Sequence, residues 1–146
     1  MRPDSPSWLK AKRHGDAGEA AAAAMWDGMG FAAGVRVGAK PSDLVVSAKV
    51  EHKADLKAPR TGRVAVEFSR SGEPSGIATT DAGIWCFTVG WEFFVIPTRE
   101  LRRLAEQGPF HIDWVGDRKQ SLCVFVPVSE LRRGSILVLP MGRAAS

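Results

Sequence analysis

The residues best suited to chemistry fall in one stretch, 41–55, which reads PSDLVVSAKVEHKAD. Asp43, Glu51 and Lys53 flank two short apolar runs, Leu44-Val45-Val46 and the approach to Val50, with Ser47-Ala48 between them. That pattern predicts a tight hairpin of half-buried strands. Side chains alternate faces along a strand, so Glu51 and Lys53 point one way and His52 the other. If the turn leaves an odd number of residues unpaired, Asp43 lies directly across from Glu51. Two carboxylates and an ammonium at one sheet end can hold a hard divalent cation through oxygen ligands, beside a cation for an anionic reactant. The opposing reading is a surface hairpin whose charges are merely solvated, since 25% of the chain is charged.

Other elements must position this stretch. Residues 1–7, with Pro3 and Pro6, read as a loose lead-in, and 8–14 carry Lys10, Lys12, Arg13 and His14 as a basic cluster. That cluster suits either a phosphate contact or a solvated tail. Residues 16–29 read as a helix, with Asp16 as cap, alanines at 20–24 and Gly30 as terminator. Glu19 is at the edge of its buried stripe, either reaching toward a metal or closing a capping box with Asp16. Residues 31–37 are expected to be extended.

After the hairpin, KAPRTGR is a basic turn whose Lys57, Arg60 and Arg63 are expected to contact a polyanionic partner. Residues 63–69 alternate as a strand with Val64, Val66 and Phe68 on one face and Glu67 on the other. Glu67 is either a further acid of the site or the solvent side of an outer strand. Residues 71–85 form a structured loop in which Thr79, Thr80 or Asp81 can cap a turn of helix. Strands are expected over 86–90, 92–97, 110–115, 122–128 and 135–139, and a helix over 98–107 capped by Thr98. Ile96-Pro-Thr-Arg-Glu-Leu-Arg-Arg103 parallels Val126-Pro-Val-Ser-Glu-Leu-Arg-Arg133, one strand-to-helix device used twice. The arginine pairs 102/103 and 132/133 either grip phosphates or solvate helix faces.

At 146 residues the chain makes a single domain, burying roughly 70% of its unfolded surface, with a core over about 13–107 and a β extension over 108–146. A hydrophobic content of 45%, with five Trp and seven Phe, argues against disorder. The net charge of +4 and pI near 9.4 suit a polyanionic partner. Cys86 and Cys123 sit in apolar runs and read as buried reduced thiols, which with the lack of a membrane-length apolar run points to a cytoplasmic protein. No Walker loop, G-x-S-x-G, H-E-x-x-H or dinucleotide fingerprint is present.

Pro41, Asp43, Glu51 and Lys53, spaced P-x-D, seven residues, E-x-K, resemble the signature of the PD-(D/E)XK nuclease superfamily. The run GDAGEAAAAAMWDGMGF resembles the opening helix of Holliday-junction resolvases, with Glu19 and Gly30-Phe31 at matching positions. From EHKAD through TGRVAVEF to GEPSGIATTDAGIW the chain is similar to uncharacterised phage-encoded members. Asp81 departs from their pattern, and no role is carried onto it. The resemblance implies an α/β fold, a central mixed β-sheet flanked by helices, with a restriction-endonuclease-like core and extra C-terminal strands. It implies a Mg²⁺-dependent DNA endonuclease, with Mn²⁺ as substitute, acting on branched DNA as a homodimer. Asp43, Glu51 and the carbonyl of His52 would hold the metal, Lys53 would act on the attacking water, and Glu19 would complete the site. The alternative is a catalytically inactive nuclease fold kept as a DNA-binding or assembly module.

Overall fold

The computed structural model describes residues 6–28, 31–35 and 44–141, and over 6–15, 32–35 and 44–45 the backbone alone. The chain divides into two compact units, Met1–Ala48 and Lys49–Ser146.

The first unit holds helix α1 (Pro6–Gly28) and strands β1 (Ala32–Val35) and β2 (Leu44–Ser47). The helix starts well before residue 16. Proline at a first helical position loses no hydrogen bond, and the cost of the interior glycines Gly15 and Gly18, about 1 kcal/mol each, is outweighed by the alanine-rich run beyond them. Asp16 and Glu19 therefore lie inside α1, and neither serves its N-terminal cap. The C-terminal end closes where the Phe31 N–H donates to the Trp26 carbonyl at 3.1 Å, with the two rings edge to face at 5.1 Å.

Strand β2 pairs antiparallel with β1, from Ala32 opposite Ser47 to Val35 opposite Leu44. This corrects the hairpin expected across Ser47-Ala48, because the next strand pairs elsewhere. Neither Ser47 nor Ala48 favours the positive φ that a two-residue hairpin turn needs.

The second unit begins with β3 (Val50–Ala54), the short helix α2 (Ala58–Thr61), β4 (Arg63–Arg70), β5 (Glu73–Pro74) and a 3₁₀ turn η1 (Gly76–Ala78). It continues through β6 (Ile84–Val89), β7 (Glu92–Pro97), α3 (Thr98–Gln107), β8 (Ile112–Val115), β9 (Ser121–Pro127), α4 (Val128–Gly134) and β10 (Leu137–Pro140). One sheet, in the order β10-β7-β6-β3, is mixed, because β3 runs parallel to β6 while β6-β7 and β7-β10 are antiparallel. The other, β5-β4-β9-β8, is antiparallel throughout. The protein is thus mixed α/β, with its strands shared between two four-stranded sheets in this unit rather than gathered into one. Strand β9 lies inside its sheet between β4 and β8, and β10 pairs with β7, so the later strands are integral to both sheets.

The core gathers Val64 and Val66 of β4, Val124 and Val126 of β9, Phe87, Phe94 and Ile96 of β6 and β7, and Leu101 and Leu131 of the helices. Each such side chain contributes roughly 1.5–3 kcal/mol by leaving water. The repeated strand-to-helix device is realised twice with nearly the same backbone: Pro97 has φ −59° and ψ 137°, Pro127 φ −58° and ψ 138°. In each copy the first helical N–H is tied to a glycine carbonyl, Thr98 to Gly83 at 3.0 Å and Val128 to Gly62 at 2.9 Å. Thr98 is not itself the cap; its hydroxyl donates to the Ala82 carbonyl at 2.6 Å. Likewise the helical turn of the 71–85 loop precedes Thr79, and Thr80 accepts the Ala82 N–H instead.

The first arginine of each pair ties its helix to another element, and the second stays on the exposed helix face. Arg102 donates from Nε and Nη2 to the Ile77 carbonyl at 3.2 and 3.1 Å, and Arg132 forks onto Glu92 at 2.7–2.8 Å. Arg103 and Arg133 pair with Glu100 and Glu130 one turn back. Both cysteines are free and buried. Among the described residues, no helix is long and apolar enough to cross a membrane.

Candidate functional site

Parallel pairing sets Glu51 beside Trp85 and Lys53 beside Phe87, which carries all four side chains to one face of the mixed sheet. The Lys53 ammonium binds Glu51 Oε1 at 2.8 Å and lies 5.7 Å above the centre of the Trp85 ring. Trp85 and Phe87 are buried, their rings 6.1 Å apart, and form an apolar floor under a pair that remains accessible, with side chains 49% and 40% exposed. The indole N–H of Trp85 is buried and has no hydrogen-bond partner among the described residues. His52 points the other way, as strand alternation requires. Its Nε2 lies 2.9 Å from the Thr88 hydroxyl and its ring 6.1 Å from that of Phe93.

Glu67 reaches the same neighbourhood from the second sheet. Burial pushes its carboxyl up, but hydrogen bonds from Ser121 and Ser75 and the charges of Arg70 and Lys53 outweigh this and hold it below the ordinary glutamate value. Ser75 Oγ donates to Glu67 Oε1 at 2.8 Å. The 71–85 loop is clamped there by a second bond, from the Ser75 N–H to the Phe68 carbonyl at 3.1 Å. Glycine at 76 makes the approach possible: its φ is +56°, and a Cβ would meet the Glu67 carbonyl oxygen at 2.2 Å. The ladder between β4 and β9 slips between Glu67 and Ser69, next to this contact. Cys123 pairs with Glu67 across the ladder, and burial, with the Glu67 charge second, pushes its thiol up to about 11.

Asp55 ends β3 and organises the turn into α2. Its Oδ1 accepts the N–H groups of Lys57 and Ala58 at 3.0 and 2.9 Å, and Oδ2 accepts that of Ala65 at 3.1 Å. One carboxylate thus starts α2 and ties it to β4. Below it opens a cleft of about 650 Å³, walled by Lys53, Lys57, Arg63, Phe87, Trp114 and Phe125. The Arg63 guanidinium stacks on Phe125 at 5.6 Å. Arg60 is exposed on α2 and does not line the cleft.

Of the residues singled out from sequence, Glu51 and Lys53 pair directly, the Lys53 charge reaches Glu67, and Lys57 and Arg63 share a cleft with Lys53. Pro41 and Asp43 lie outside the described residues. Glu19 is half-buried on α1 in the first unit. Sequence reasoning missed Ser75, Trp114 and Phe125. For Ser75 the signal was present, a serine beside glycine in a Pro-Ser-Gly turn facing a strand acid; Phe125 meets Arg63 only through the pairing of β9 with β4. Among the described residues no group of three or more His, Cys, Asp or Glu side chains could hold a metal ion. Comparison of the chain with family models, curated proteins and solved structures returns no significant match.

Proposed function

We propose that this protein is a Mg²⁺-dependent DNA endonuclease of the PD-(D/E)XK kind, with a restriction-endonuclease-like core, acting on branched DNA. The observation that supports this reading most is the Glu51–Lys53 pair, accessible on an apolar floor, with Lys53 also in electrostatic reach of Glu67 and opening onto a cationic cleft.

Carboxylate oxygens are the ligand type that magnesium takes. Glu51 and Glu67 offer hard carboxylate oxygens, and Mg²⁺ is commonly held by one or two carboxylates while it keeps several waters. The motif assigns Asp43 and the His52 carbonyl as further ligands. A bound Mg²⁺ supplies Lewis-acid chemistry, lowering the pKa of a water and countering charge on the phosphate. Glu51 holds Lys53 in place. Lys53 orients the attacking water and stabilises charge that develops on the phosphoryl oxygens. Ser75 and Ser121 keep Glu67 ionised, and Lys57 and Arg63 hold phosphates beside the scissile bond.

A second reading, a non-catalytic DNA-binding module of the same fold, draws support from Glu51 being engaged by Lys53 and from the small ligand set among the described residues. The deciding experiment incubates labelled junction, flap, nicked and duplex DNA with the protein and Mg²⁺, with Glu51→Gln alongside. Cutting by the wild type that Glu51→Gln loses at least 10²-fold supports the enzyme. DNA binding without cutting of any substrate in Mg²⁺ or Mn²⁺ supports the module.

A further inference from the structure

We infer that Leu56 is an apolar wedge that enters DNA where its stacking is interrupted, so that this protein selects branched or nicked DNA over continuous duplex. The inference rests on the proposed reading only in taking DNA as the partner. Leu56 is 92% exposed, more than any other large apolar residue described. The backbone on both sides of it is held. Asp55 donates its N–H to the Thr88 carbonyl at 3.2 Å, and its carboxylate accepts the N–H groups of Lys57, Ala58 and Ala65. Ala58 is buried, and its carbonyl accepts the Gly62 N–H at 2.8 Å. The turn is thus tied to β6 and β4 around Leu56, while the leucine side chain stands in solvent. A side chain presented from a fixed turn loses little freedom on binding.

Its surroundings are cationic. Leu56 shares the cleft wall with Lys53, Lys57 and Arg63, and Arg60 is exposed on α2. Lys57, Arg60 and Arg63 have no carboxylate partner among the described residues. The acid of this turn, Asp55, has both oxygens occupied by backbone N–H groups. Cations around an exposed apolar side chain suit a protein that opens a base step: the charges neutralise phosphates and the leucine fills the gap between bases. Opening a step in continuous duplex costs its stacking, a cost largely absent at a branch or nick, so a wedge favours interrupted DNA. Lys53 precedes Leu56 by three residues, at most about 10 Å of chain, so the Glu51–Lys53 pair meets the DNA within a few nucleotides of the wedge. A lipid surface also attracts cations and apolar groups. One leucine, however, buries far less than a myristoyl chain, which alone binds membranes only marginally.

The test is a fluorescence-anisotropy titration of the full chain in EDTA, where Mg²⁺-dependent cutting is absent, with a labelled three-way branch, a nicked duplex and a continuous duplex. Branched and nicked DNA should bind on the order of tenfold more tightly than the duplex. A 2-aminopurine beside the branch should brighten as it loses its stacking. Leu56→Ser should bring branched and nicked DNA down to the duplex level and remove the brightening, and Leu56→Met should retain both. Leu56 is exposed, so neither substitution disturbs the core. Lys57→Ala should weaken all the substrates alike and reduce the salt slope by about 0.9. Equal binding of all the substrates by the wild type overturns the inference, as does a Leu56→Ser protein that still discriminates. Leu56-dependent binding of phosphatidylcholine–phosphatidylserine vesicles without a preference among the DNAs overturns it in favour of a lipid partner. Mg²⁺-dependent cutting without a Leu56-dependent preference overturns this inference alone. A Leu56-dependent preference without cutting overturns the enzyme reading and supports this one.

Discussion

Ser75 Oγ donates a hydrogen bond to Glu67 Oε1 across 2.8 Å, joining the 71–85 loop to a strand acid that feels the charge of Lys53. That bond gives the G-E-P-S-G-I segment a physical purpose. It keeps a partly buried carboxyl ionised against the burial that would otherwise raise its pKa.

Because the folded-state pKa of Glu67 lies below its ordinary value of 4.5, the unfolded chain binds more protons in the window between the two. The stabilisation is present at neutral pH and is lost as the pH falls below about 4.5 toward the depressed value. Glu67→Gln should therefore flatten the acid limb of the stability profile, measured by urea unfolding from pH 7 to pH 3. Ser75→Ala should raise the Glu67 titration followed by carboxyl ¹³C NMR. An unmoved titration in Ser75→Ala would remove the hydroxyl as the cause.

Gly76 and Gly72 both have positive φ, yet they predict different outcomes. At Gly72, with φ +84°, an added Cβ meets nothing within 4 Å, so Gly72→Ala should cost only backbone strain, about 1–3 kcal/mol. At Gly76 the Cβ would lie 2.2 Å from the Glu67 carbonyl oxygen in addition to the strain. Gly76→Ala should cost clearly more than Gly72→Ala in denaturant unfolding, and it should disturb the Glu67 titration as well. Equal costs would mean that the loop relaxes away from β4.

On the proposed reading, Lys53 is the residue that would separate catalysis from binding. Lys53→Ala should weaken DNA binding by about one phosphate contact. Single-turnover cutting of branched DNA should fall on the order of 10²-fold or more. Lys53→Arg restores charge but changes shape and pKa, so it should recover binding without full rate. Binding is read by gel shift in Ca²⁺. Equal losses of binding and cutting in Lys53→Ala would make the residue a phosphate grip only.

Much of the second unit is legible in the sequence because its signals are local. Alternation in Arg63-Val-Ala-Val-Glu-Phe-Ser marks β4, and Gly90-Trp91 turns β6 into β7. The proline–glycine punctuation bounds α3 at Pro97 and Gly108, and the parallel between residues 96–103 and 126–133 becomes two matching strand-to-helix joints. Strand partners are not legible. The alternation at 44–54 says which face each residue takes but not which neighbour it joins, so sequence alone matches β2 with β3 although they pair with β1 and β6. The facing of Glu51 and Lys53 survives that error, since it depends on parity alone. The start of α1 is hidden because Gly15 and two prolines look like loop, whereas helix formers on both sides carry the helix through. Phe125 escapes notice for the same reason as the pairing: its tie to Arg63 depends on β9 and β4 lying side by side.

The place of β9 inside its sheet bears on how the chain reaches its native state. Strand β4 is made well before its main partner in the ladder, β9, and β7 likewise before β10. Such sequence-distant pairings give a high contact order and a slow search. Until β9 arrives, a nascent chain presents Val64 and Val66 on an unpaired strand edge, the kind of surface that associates with other unfinished chains. Yield in the cell should thus depend on chaperone supply during translation, more than the stability of the finished molecule would suggest.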